Sequence, residues 1–87
     1  MFFEYDSKKS EANFKKHGID FKMAQKIWEG VYVEFAAKSE FENRFAIIGP
    51  IKEKLYTCIF TLRGERIRII SCRRSREKEA LLYEENV

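Results

Sequence analysis

The sequence predicts an α+β fold: an antiparallel sheet meander packed on two N-terminal helices, with one further helix at the C-terminus. Three observations predict it. Apolar residues recur at helical spacing as far as Trp28, the period falls to two from Val31 onward, and the later strand segments are joined by stretches too short for a crossover. With 87 residues the chain has room for one domain, residues 1–87, and its 45% hydrophobic, 15% aromatic composition is far from that of a disordered segment.

Met1 to Tyr5 is short, apolar and aromatic, and reads as a brief strand. Asp6 and Ser7 then offer side-chain oxygens to the free amides of a helix that runs through Asn13 and Phe14 and stops at His17-Gly18. A second helix follows with Asp20 as N-cap. Ile19 and Ala24 are placed for a hydrophobic staple, and Phe21, Ala24, Ile27 and Trp28 form an apolar side that Gly30 ends. Val31, Val33 and Phe35 alternate with Tyr32 and Glu34, which is the pattern of a half-buried strand.

Lys38 to Glu42 makes a polar turn, Asn43 to Gly49 is the next strand, and Gly49-Pro50 through Lys54 is a loop. Leu55 to Leu62 and Glu65 to Cys72 flank Arg63-Gly64 as a hairpin. A two-residue turn there pairs Phe60 with Ile67 and Cys58 with Ile69, so Tyr56 and Ser71 join them on one apolar face. The other face collects Thr57, Ile59, Thr61, Arg66, Arg68 and Ile70, a donor-rich surface once helices cover the first. Ser75 is placed to cap a last helix from Arg76 to about Glu85.

Charge is distributed unevenly. Residues 1–42 carry 7 basic and 8 acidic side chains, residues 43–87 carry 10 and 6, and all seven arginines lie in the second part. Arginine's planar fork of donors matches phosphate, so this bias points to recognition of a polyanion, with a solvated basic surface as the alternative. The single His17 and two cysteines 14 positions apart form no metal-binding spacing, and no phosphate-cradling glycine motif is present. No metal and no cofactor is expected. Cys58 and Cys72 read as reduced core thiols, and with no long apolar stretch and no leader at Met1 the sequence leads us to expect a cytoplasmic protein away from the membrane.

What remains is metal-free chemistry on a phosphodiester, for which Arg, Lys, His, Glu and Tyr suffice when the substrate is RNA. Its 2′-hydroxyl is the nucleophile, so the protein must supply a base, cations for the charge developing on the phosphoryl oxygens, and an acid for the leaving 5′-oxygen. Arg68 and Arg73 are the first candidates for phosphate contact, against structural ion pairs with Glu79 or Glu42. Arg44 follows, because its strand turns it away from Phe45 and Ile47. His17 is the chain's one imidazole, the side-chain type best suited to act as acid or base near neutral pH, although a histidine before Gly18 also suits the carbonyls of a helix end. Glu42 and Tyr83 are proton-transfer candidates with hydrogen-bonded structural roles as the alternative, and Arg63, Arg66 and Arg74 complete the expected RNA-binding set.

Phe3-Glu4-Tyr5-Asp6, Lys9, Asn13, Lys16-His17-Gly18-Ile19, Phe21 and Ala24 resemble the opening F-x-[WY]-D-x-x-K-x-x-x-N-x-x-K-H-G-[VI]-x-F-x-x-A of the BrnT toxin family. Glu42-x-Arg44, Ile48-Gly49, Thr61-x-Arg63-Gly64 and Arg68-Ile69-Ile70-Ser71-Cys72-Arg73, with Glu79 and Tyr83 beyond, resemble its R-I-I-S-A-R-x-A-[ST]-x-x-E-x-x-x-Y ending. Ser7, Cys72 and Arg76 depart from the pattern. The resemblance implies a fold like the RelE ribonucleases and a toxin of a type II toxin–antitoxin pair that cleaves RNA and arrests translation. It also implies a BrnA-like antitoxin with a ribbon-helix-helix domain, and a complex through which promoter DNA is bound and repressed. The alternative is a non-catalytic nucleic-acid-binding module, or the co-repressor half of a DNA-binding complex.

Overall fold

A computed structural model describes residues 2–87 in the order β1 (Phe2–Glu4), α1 (Ser7–His17), α2 (Phe21–Ala24), a 3₁₀ turn (Gln25–Glu29), β2 (Val33–Ala37), β3 (Arg44–Ile51), β4 (Lys54–Arg63), β5 (Arg66–Arg74) and α3 (Glu77–Glu85). The five strands make one sheet in the order β1-β5-β4-β3-β2. The α+β class and the meander of β2 to β5 agree with the sequence reading, with two differences. β1 joins the sheet parallel to β5, so the sheet is mixed. The second N-terminal helix is a single α turn that tightens into 3₁₀ geometry.

The first helix starts where Asp6 accepts from the backbone N–H groups of Lys8 and Lys9, and ends at Gly18, whose φ of 75° is left-handed. Asp20 accepts from the Met23 N–H and opens α2. Asn13 ties these elements to the sheet. Its buried amide donates to the carbonyls of Ile19 and Cys72 and accepts from the Cys72 N–H, so a break between two elements leaves no orphaned polar atom.

Ile19, Phe21, Ala24 and Ile27 bury themselves against Ile47, Cys58, Phe60, Ile67, Ile69 and Cys72 on one face of the sheet. Trp28 sits edge-on between Phe3 and Phe60, at 5.0 and 5.3 Å between ring centres. Gly49 lets the 3₁₀ turn lie against β3, because a Cβ there would stand 2.9 Å from Ile27 Cγ2 and 3.2 Å from Tyr32 Cβ. Cys58 and Cys72 face each other across β4 and β5 as free, fully buried thiols. Burial pushes the Cys58 thiol well up, and the neighbouring Cys72 adds to it, so a Cys58 thiolate is disfavoured.

Several boundaries move for physical reasons. The strand expected from Val31 starts at Val33, leaving Val31 exposed. The loop expected at Gly49-Pro50 is strand: β3 runs to Ile51, and Lys52, at φ 59°, begins a two-residue turn to Lys54. The β4–β5 turn is Gly64-Glu65, since the glycine takes the positive φ at the first turn position. Phe60 therefore pairs with Ile69, not Ile67, and Cys58 with Cys72, not Ile69. Ser75 does not cap α3. Its hydroxyl bonds Thr57, and the helix begins instead with the Glu79 carboxylate accepting the Arg76 N–H at 2.8 Å.

Candidate nucleic-acid interface

The face of the sheet turned away from α2 and the 3₁₀ turn is set by residue parity. Phe3 and Ile67 point into the core, so Phe2, Glu4, Arg66 and Arg68 point out beside them. On β4 and β3 the same side carries Thr61, Arg63 and Arg44. One row across the sheet thus reads Glu4, Arg68, Thr61, Arg44, each residue paired with the next. Two interstrand steps separate Arg68 from Arg44, about 10 Å at the backbone, a distance that long side chains can close.

A bulge brings Arg73 to this side. Phe60 pairs with Ile69 and Ile59 with Ser71, so Ile70 is an extra residue on β5. Beyond it the pleat is reversed: Cys72 enters the core in place of the expected Ser71, and Arg73 turns outward. It does not stand free there. Arg73 Nη1 and Nη2 donate to Glu79 Oε1 and Oε2 at 2.7 and 2.8 Å, and Glu79 accepts in addition from Thr57 Oγ1 and the Arg76 N–H. The Arg73 guanidinium, together with these bonds, holds the Glu79 carboxyl down at about 2, and Glu79 in turn raises Arg73. This knot ties α3 over Ile48 and Thr57, so α3 covers one end of the face and leaves the end nearest the β4–β5 turn open.

On the open end the pairing is looser. Glu4 lies 3.9 Å from both Arg66 Nη1 and Arg68 Nη1, beyond hydrogen-bond range, and is half-buried. Arg44 gives only Nε to Glu42, at 3.2 Å, and keeps its terminal nitrogens. The threonines, expected as free donors, are spent. Thr61 donates to the Asn43 carbonyl and Thr57 is held by Ser75 and Glu79.

The structure therefore brings Arg44, Arg63, Arg66 and Arg68 to one surface, with Glu42 beside Arg44. His17 is not among them: it is the last residue of α1, which runs beside β5 and is fastened there by Asn13 on the Cys72 backbone. Arg74 also points to the helix side, its guanidinium 5.9 Å from the centre of the Tyr56 ring. Tyr83 donates its hydroxyl to the Val31 carbonyl at 2.9 Å and pins α3. Glu4 and Phe2 were absent from the expected site, and the alternation Phe2-Phe3-Glu4 is the one signal that separates them from Phe3.

The sequence model of the ribonuclease toxin, BrnT, of type II toxin–antitoxin systems matches residues 5–79. The chain belongs to that family. Membership makes it a ribonuclease toxin with an RNA target and an antitoxin partner. No curated protein matches the chain. The BrnT match runs from just after β1 to Glu79, so it contains Arg44, Arg63, Arg66, Arg68 and the Arg73–Glu79 knot, and leaves out Phe2 and Glu4. None of the described helices is long and apolar enough to cross a membrane.

Proposed function

We propose that this toxin is a metal-independent endoribonuclease that cuts RNA on the open end of the sheet, with Arg68 and Arg44 steadying the phosphoryl oxygens and Glu4 as the base. The observation that carries the proposal is the row Glu4, Arg68, Thr61, Arg44, in which a carboxylate with unspent lone pairs stands beside guanidiniums with unspent donors. Glu4 takes the proton of the 2′-hydroxyl. The 2′-oxygen then bonds to phosphorus, the bond from phosphorus to the 5′-oxygen breaks, and that oxygen takes a proton from water, leaving a 2′,3′-cyclic phosphate and a 5′-hydroxyl. Removing one such charge-stabilising donor from an active site typically costs about 10²–10³ in rate.

The other carboxylates are less suited. Glu79, held at about 2 and saturated with donors, is a poor base, and Glu42 serves to aim Arg44. Arg73 and Tyr83 support the surface by fastening α3, Arg63 and Arg66 extend its positive charge along the RNA, and His17 and Arg74 lie off it. A RelE-like ancestry, a cytoplasmic setting, arrest of translation, a BrnA-like ribbon-helix-helix antitoxin and promoter binding through the joint complex belong to this proposal.

One observation favours the second reading, a non-catalytic binding module or co-repressor half: Arg44, Arg68 and Arg73 each already face a carboxylate. The deciding experiment incubates the purified protein with RNA in chelator, with and without ribosomes. Fragments ending in 2′,3′-cyclic phosphate support the nuclease, and intact RNA under both conditions leaves only the binding module.

A further inference from the structure

A recess of about 310 Å³ opens on the same face, one row beyond Glu4 and Arg68, lined by Phe2, Arg63, Glu65 and Arg66. Phe2 is 66% exposed although it is a large ring on a paired strand. An aromatic side chain left in water beside two guanidiniums and one carboxylate is a poor arrangement for stability and a good one for a flat, polar-edged ring. We infer that the recess is a nucleobase subsite, in which a base of single-stranded RNA stacks on Phe2 while Arg63, Arg66 and Glu65 meet its edge. The inference deepens the proposed RNA-cleaving role and rests on that reading.

Geometry supports it. Same-face positions along β1 and β5 are about 6.7 Å apart, so a base on Phe2 sets its own ribose and phosphate near Glu4, Arg66 and Arg68 in the next row. Stacking every base on one ring is tolerant of sequence, while a carboxylate and guanidiniums at the edge supply both acceptors and donors for reading it. A phosphate alone would use the arginines and gain nothing from Phe2. A protein segment rich in acidic residues would likewise bind through the arginines and be indifferent to the ring.

The test uses the whole protein and short oligoribonucleotides carrying 2-aminopurine, with fluorescence and anisotropy measured in chelator at several salt concentrations, and adenosine monophosphate and ribose 5-phosphate as competitors. Phe2→Ala is expected to weaken binding roughly tenfold or more and to abolish the quenching that stacking produces, with an unchanged salt slope because no charge is lost. Phe2→Trp restores both, which separates stacking from damage to β1. Arg66→Ala is expected to lower the salt slope. Adenosine monophosphate should compete better than ribose 5-phosphate. Equal affinity of Phe2→Ala and the wild type, or equal competition by the two phosphates, overturns the subsite while leaving the surface as a phosphate binder. A wild type that binds no RNA overturns the RNA-cleaving reading, and the subsite falls with it.

Discussion

Glu79→Gln tests the arrangement that holds the last helix. Glu79 accepts four hydrogen bonds, two of them from Arg73, and its carboxyl is lowered from 4.5 to about 2. At 1.36 kcal/mol per unit, that shift corresponds to a ceiling of about 3 kcal/mol. The carboxylate stays partly in contact with solvent, which brings the expected contribution to about 1.5 kcal/mol. Because the folded value lies below the unfolded one, this stability is fully present above pH 4.5 and is lost as pH falls toward 2. Urea unfolding of wild type and variant across that window reads it directly. At neutral pH the variant should melt about 6–12 °C lower for a domain of this size, and the gap should close as the wild-type carboxylate is protonated. A gap of the same size at both ends of the window, or none at neutral pH, refutes the electrostatic account of α3 docking.

Asn13→Ala orphans the Ile19 carbonyl and both backbone groups of Cys72, and is expected to cost about 2–4 kcal/mol in urea unfolding. Arg68→Gln should slow RNA cleavage by about 10²–10³ with little change in melting temperature, since its contact with Glu4 is long and partly solvated. Arg73→Gln should do the reverse, lowering the melting temperature, because both of its terminal nitrogens hold Glu79. His17→Ala should leave the pH–rate profile of RNA cleavage unchanged, because His17 ends α1 and is no part of the outward-facing row that carries Arg44 and Arg68; a lost limb in that profile would place His17 in the chemistry.

Local pattern made the caps at Asp6, Gly18 and Asp20, the core residues Phe21, Ile27 and Trp28, and the outward turn of Arg44, Arg66 and Arg68 legible in the sequence. These follow from properties of a few consecutive side chains. The parallel seat of β1 beside β5 is a contact across more than sixty residues, and nothing in Phe2-Phe3-Glu4 names its partner. Without that partner, Phe2 and Glu4 could not be placed on the arginine side. The bulge was hidden because Ile69 and Ile70 are the same residue, so no change of polarity marks where the pleat reverses. That reversal decides whether Arg73 points toward the helices or meets Glu79. The tight β3–β4 turn is not legible because its positive φ falls on Lys52, a residue type with no preference for it.

The seating of β1 has a consequence during synthesis. The first strand waits for the last: Phe2 and Glu4 acquire neighbours only when residues 66 to 68 have left the ribosome. A nascent or truncated polypeptide ending before β5 would carry Arg44 and Arg63 but no assembled row beside them. The cell that makes this protein is therefore exposed to the proposed cutting surface only once β5 has been translated.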